Sequence, residues 1–139
     1  MVTHKLKDDL FREKIATVRI AHQGSNSLIQ TVNTIDYLPA NLTLYAEVDF
    51  FNILSNYSYT LSVDLIKHTF ETIPSYVTRV NIPTHQLSYK VGQLGKTQGS
   101  FDFNIVIEDE GDYAFIFSLK NEKGKVLDIY HQFISISKE

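Results

Sequence analysis

Four carboxylates crowd one short stretch of the chain: Glu108, Asp109 and Glu110 run consecutively, and Asp112 follows across Gly111. Acidic oxygens beside a glycine are a donor set that calcium can use, but the Asp-x-Asp-x-Asp-Gly spacing of a calcium loop is not met. Their simpler role is to cap a solvated turn. The five histidines, His4, His22, His68, His85 and His131, show neither His-x-His nor His-x-x-x-His spacing, so no metal motif forms. Gly95-Lys96-Thr97 matches only the end of a phosphate loop. Lys90 stands where an earlier glycine is required, and a strand rather than a helix follows. With no cysteine there is no thiol nucleophile, disulfide or thiolate zinc site, and no Gly-x-Ser-x-Gly elbow is present. The expectation is a protein without catalytic residues, metal or cofactor. Asn41-Leu42-Thr43 and Asn56-Tyr57-Ser58 match the glycosylation acceptor pattern, and without a secretion signal they read as chance matches.

The remaining chemistry is that of contact surfaces. Aromatic residues make up 12% of the chain, with eight tyrosines, and tyrosine buries a large area at small rotamer cost while keeping a polar tip. Tyr45 falls on an outward strand row, as does Tyr130 if the last strand keeps the phase of Leu127. Tyr57, Tyr76 and Tyr89 fall in turns or edge segments. These five are candidates for an interaction surface. The competing assignment has the outward row packing on another part of the same chain, such as residues 1–14.

Composition narrows the classes. A chain of 139 residues fits one domain with a sizeable core, and 43% hydrophobic with 21% charged residues is ordinary for a globular fold. The net charge of −3 and the scatter of basic residues argue against nucleic acid, which selects a stripe of Lys and Arg. No apolar run approaches the roughly 20 residues that cross a bilayer. Met1-Val2-Thr3-His4-Lys5 leads into Lys7-Asp8-Asp9 rather than an apolar stretch, so no signal peptide is visible and a cytoplasmic setting is expected.

The elements that must position these residues read as strands. Residues 1–14 carry Leu6, Leu10 and Phe11 loosely at helical spacing, as a short helix or as an arm on the rest. From Ile15 the period becomes two, with Ala16, Val18 and Ile20 in one row. A turn at Gln23-Gly24-Ser25-Asn26 leads to a strand through Ile29, Val32 and Ile35. After Pro39, Leu42, Leu44, Ala46, Val48 and Phe50 share a face. Beyond the Ser55-Asn56 turn, so do Tyr59, Leu61, Val63 and Leu65. Ser75 to Ile82 reads as an edge strand bordered by Pro74 and Pro83, and residues 92–99 as a mobile glycine-rich loop. Phe101, Phe103, Ile105 and Ile107 form the next inward row, then Tyr113, Phe115, Phe117 and Leu119. The Asn121-Glu122-Lys123-Gly124 turn leads to a last strand that starts on Leu127 and Ile129 and ends on Ile134 and Ile136. That change of phase predicts a bulge near Tyr130 to Gln132.

Seven to nine strands in a chain of this size suggest a sandwich or a barrel. Asp109-Glu110-Gly111-Asp112-Tyr113-Ala114-Phe115 resembles the Asp-x-Gly-x-Tyr-x-Cys run that opens strand F of immunoglobulin domains. The resemblance implies an all-β, immunoglobulin-like antiparallel β-sandwich over residues 15–139, with residues 1–14 as arm or helix. It also implies a structural corner of Asp109, Gly111 and Tyr113, whose hydroxyl bonds back to the preceding backbone. Phe115 replaces the second cysteine, and the chain has no tryptophan for the strand C position. The layout is also similar to small bacterial and phage proteins with such a sandwich. The expected function is a non-enzymatic module that binds a protein partner or a second copy of itself, such as a bacterial or phage accessory or inhibitor protein. A small-ligand or carbohydrate-binding sandwich using the 92–99 loop and the acidic corner is the alternative.

Overall fold

The computed structural model describes residues 3–22, 31–35 and 37–138. Nine strands form two sheets: β1 (Lys14–His22), β2 (Thr31–Ile35), β3 (Ala40–Leu54), β4 (Tyr59–Lys67), β5 (Thr72–Val80), β6 (Ser88–Val91), β7 (Leu94–Ile107), β8 (Gly111–Lys120) and β9 (Val126–Lys138). One sheet has the order β1-β3-β7-β6 and the other β2-β9-β8-β4-β5. Neighbours pair antiparallel except β2 and β9, which run parallel. There is no α-helix among the described residues, only a single 3-10 turn at Thr84–Gln86. The fold is thus an all-β two-layer sandwich, as the period-two rows imply.

Those rows meet between the layers. Leu44, Ala46, Val48 and Phe50 of β3 and Phe103, Ile105 and Ile107 of β7 face Leu61, Val63 and Leu65 of β4 and Phe115, Phe117 and Leu119 of β8. The Phe103 and Phe115 rings meet edge to face across the layers, with centroids 5.8 Å apart. Phe115 is fully buried where the immunoglobulin pattern has its cysteine, so an aromatic ring fills the volume of a disulfide sulfur. On β1 a register shift between Ile15 and Thr17 makes Ala16 the extra residue of a bulge. Ile15, Val18 and Ile20 are therefore buried while Ala16 is exposed, which corrects the expected row.

Three further expectations are corrected. Residues 92–99 are not a loop: Gly92 and Gln93 turn β6 into β7, which runs 14 residues against the 15 of β3. Of their glycines, Gly95 serves close packing. A Cβ at Gly95 would lie 2.7 Å from Leu87 Cβ, so the backbone approaches because no side chain intervenes. The bulge of the last strand falls at Leu127, where the β8 pairing jumps from Lys120↔Val126 to Leu119↔Asp128, and not at Tyr130 to Gln132. Ile129 is consequently outward, and Tyr130 lies against the core in the row of Asp128 and Ile134.

The N-terminal residues form an arm, not a helix. Leu6, Leu10 and Phe11 stay exposed, so no apolar stripe is buried that could offset the cost of nucleating so short a helix. The arm is held by polar contacts instead. Asn52 Nδ2 donates to Phe11 O (2.7 Å), Glu13 N to Asn52 O (2.9 Å) and Lys7 Nζ to Asp128 Oδ1 (2.6 Å). The expected turn at 23–26 and the position of Ile29 lie outside the described residues. Val32 and Ile35 fall on β2.

Candidate functional site

The corner between β7 and β8 is built as the motif requires. Tyr113 is buried and its hydroxyl donates to Asp109 O at 2.6 Å, closing the corner over four residues. Burial raises the phenol above its ordinary range. Gly111 has φ +139°, and a Cβ there would come within 2.7 Å of the His68 imidazole. The backbone conformation therefore selects glycine, and any side chain here would also have to displace the exposed His68 ring. The carboxylates disperse from one another. Asp109 takes Lys67 Nζ at 2.7 Å, which holds the carboxyl below and the ammonium above their usual ranges. Asp112 accepts from Ser135 Oγ (2.6 Å) and Glu110 from Lys138 N (2.6 Å). Among the described residues no group of three or more His, Asp or Glu could hold a metal ion. His4, His68, His85 and His131 are exposed and far apart in the chain, and the side chain of His22 lies outside the described set.

The five tyrosines do not share a surface. Tyr45 is half-buried on the outer face of the four-stranded sheet. Tyr57 packs on Tyr59 (4.7 Å between centroids) and its hydroxyl accepts from Glu122 N, which ties two hairpin ends together. Tyr76 stacks on Phe101 at 4.6 Å and 9°, bridging the layers where β5 faces β7. Tyr130 packs against the core. Tyr89 alone is freely exposed, at 82%, at the β6–β7 hairpin.

A different surface stands out once the register is known. Reading across β5, β4, β8 and β9, the outer face of the five-stranded sheet has the rows Thr72–Ile66–Ala114–Phe133, Pro74–Asp64–Ile116–His131 and Val77–Ser62–Ser118–Ile129. Phe133 (69%), Val77 (66%) and Ile129 (41%) are exposed, and His131 stacks on Phe133. Only Asp64 and His131 in these rows can carry charge. The outer face of the other sheet is the opposite case. There Arg19 bridges Glu47 (3.1 Å) and Asp49 (2.9 Å), and Asp49 also receives Thr17 and Gln98. The Arg19 and Thr17 hydrogen bonds bring the Asp49 carboxyl down to about 2. The sequence signal for the apolar face was present in the uncharged outward row Ala114, Ile116 and Ser118. It was legible only as a single strand.

Asp128 carries no local signal of its role in the sequence. Its side chain is almost fully buried at the β9 bulge, where Oδ2 accepts from Ile15 N at 2.8 Å and Oδ1 from Lys7. It therefore joins the last strand, the first strand and the arm.

No protein-family model matches the chain, and no curated protein matches it. Solved structures do. A bacterial adhesin from Mobiluncus mulieris, containing intramolecular disulfide, isopeptide and ester bond cross-links, superimposes with a TM-score of 0.61 over 91% of this chain at 8% identity. The chain spans 58% of that adhesin's length. The CARDB domain of a Pyrococcus furiosus protein, solved in complex with di-metal ions, gives 0.53 at 14% identity, covering 93% of this chain and 97% of that one. A putative β-galactosidase from Bacteroides fragilis gives 0.54 at 12% identity over 88% of this chain and 17% of its own. At these identities the likeness concerns architecture. Together with the closed Tyr113 corner, it gives the chain the immunoglobulin-like β-sandwich fold.

Proposed function

We propose that the chain is a non-enzymatic protein-interaction module that docks a protein partner on the outer face of its five-stranded sheet. The observation that carries this is the sparsely charged three-row face around Ile116, with Val77 exposed on β5 and Ile129 and Phe133 exposed on β9. Large apolar side chains left exposed on a sheet face with so few charges mark a contact surface. Four paired strands make it broad and shallow, which suits a protein surface better than a small molecule. The matching surface is apolar at its centre and carries groups that meet Asp64 and His131. Binding of a small ligand or carbohydrate has less support, because residues 92–99 are hairpin and strand and the corner carboxylates already hold Lys67, Ser135 and Lys138 N.

The test is an affinity pull-down from host lysate with the wild type beside Val77→Lys and Phe133→Lys, combined with sedimentation of the purified chain. A protein retained by the wild type and lost from both variants, or a dimer that both variants dissociate, supports the proposal. Capture or dimerisation indifferent to both substitutions would move the interface elsewhere.

A further inference from the structure

The two long sides of the sandwich are finished differently. On one side β1 lies against β9, and the arm and Asp128 close the seam. On the other, β6 pairs with β7 only at Ser88↔Lys96 and Val91↔Leu94. From Thr97 to Ile107, no strand among the described residues flanks β7 opposite β3. Alternate N–H and C=O groups along that edge therefore lack a ladder partner among the described residues.

Edges of this length are usually guarded by Lys, Pro, a bulge or a cover. The edge strand of the other sheet is guarded: β5 carries Pro74, a register break between its partners Val63 and Asp64, and Arg79. The β7 stretch Thr97-Gln98-Gly99-Ser100-Phe101-Asp102-Phe103-Asn104-Ile105-Val106-Ile107 has a single charge and no proline. It is regularly paired to β3 throughout, so no bulge turns it away.

Directly beneath this edge the layers part. A cavity of about 270 Å³ opens between β7 and β5, lined by Val48, Phe50, Leu61, Tyr76, Gly99 and Phe101 among others. The Tyr76–Phe101 stack forms one wall. Gly99 pairs with Val48 and so lies in the inward row of β7, where its missing side chain leaves the space open. A Cβ built there meets nothing nearer than the Phe50 ring edge at 3.6 Å. The two features call for one ligand. An unpaired edge is satisfied by backbone, and an apolar hollow in the inward row is satisfied by a side chain of that same added strand.

We infer that the β7 edge from Thr97 to Ile107 accepts an extended segment of a partner protein as an added strand, with one large apolar side chain of that segment seated in the cavity beside Gly99. A second copy of this chain fits less well. Edge-to-edge pairing of two β7 strands would present Phe101 and Phe103, which are already committed to their own sandwich. The segment alternates apolar and polar residues, because successive side chains point to opposite faces of a strand. This site is separate from the outer sheet face and stands or falls independently of it.

The probes are three short fluorescein-labelled peptides, each with a lysine at both ends for solubility. The first alternates leucine with threonine, the second has the same composition without alternation, and the third repeats the first with alternate backbone nitrogens methylated. Binding to the full chain is followed by anisotropy. The alternating peptide is expected to saturate, with the other two at least about tenfold weaker. Alternate amides of β7 should gain hydrogen-exchange protection in the complex. Gly99→Val fills the cavity with a residue that strands favour, and should bind at least about tenfold more weakly while unfolding at an unchanged or higher temperature. Equal binding of all three peptides, no saturable binding, or undiminished binding by folded Gly99→Val would overturn the inference. If Gly99→Val does not fold, the comparison of methylated and unmethylated peptides on the wild type decides. Val77→Lys and Phe133→Lys should bind the peptide normally. A lysate partner lost from those two variants, alongside failure of the peptides, would refute the edge site and leave the interaction module standing.

Discussion

Replacing Asp128 with alanine should be the most damaging single change at the junction of arm and sandwich. The carboxylate is buried and makes two bonds, from Ile15 N at 2.8 Å and from Lys7 Nζ at 2.6 Å. Alanine leaves the buried Ile15 N–H without an acceptor, a loss of about 1–3 kcal/mol. The ion pair adds less than about 1 kcal/mol, because Lys7 is half exposed and water competes for it. The sum is about 1–4 kcal/mol, and Asp128→Asn should cost about half as much because its amide oxygen still accepts from Ile15. Lys7→Ala should cost under about 1 kcal/mol. Urea unfolding would read these as lower midpoints at constant m-value, and the Ile15 amide should exchange faster in Asp128→Ala. The reasoning fails if Asp128→Ala lies within about 0.5 kcal/mol of wild type, a difference typical of featureless surface positions. It fails equally if Lys7→Ala costs as much as Asp128→Ala, since the Ile15 bond would then contribute nothing.

Tyr113→Phe removes the bond to Asp109 O and should lower stability by about 1 kcal/mol, read as a fall of a few degrees in melting temperature with an unchanged far-ultraviolet spectrum. Gly111→Ala combines an unfavourable φ with a collision against His68 and should cost at least about 2 kcal/mol. His68→Ala in the same chain should restore part of that, and no restoration would locate the whole cost in the backbone. Asp49 ionises at about 2 when folded, against 3.8 when free, so its stabilisation is present above about pH 4 and lost as pH falls through that interval. Because the pair is partly solvated, the loss amounts to about 1 kcal/mol. Asp49→Asn should flatten the acid limb of the stability curve between pH 4 and 2, and an unchanged limb would show that Arg19 does not hold this carboxylate.

Where one buried row alternates with one exposed row, the strand was legible from local spacing alone: β3, β4, β7 beyond Phe101, and β8 all follow their period. The corner was legible too, because Gly111 and Tyr113 act within a few residues of each other. The failures involve partners distant in sequence. Glycines at 95 and 99 resemble a loop until β3 pairs with both of them and Leu87 occupies the space of a side chain at Gly95. The phase of β9 is set at Leu127 by Asp128, whose bonds reach residues 113 and 121 positions earlier in the chain. Tyr130 was misassigned for the same reason. The sparsely charged outer face arises from four strands in register, and β8 alone displays only its own uncharged row of Ala114, Ile116 and Ser118. The candidate tyrosines scatter for the converse reason: nothing local says which strand rows become neighbours.

The most direct test of the interaction account is to place a photo-cross-linking phenylalanine analogue at Phe133 and, as control, at Glu122 on the exposed β8–β9 hairpin. Each chain is irradiated in host lysate. A discrete, reproducible adduct from position 133, absent from position 122 and competed by unlabelled wild-type chain, is the expected result. Adducts of equal yield from both positions, or none from position 133, would contradict an interface on the five-stranded sheet.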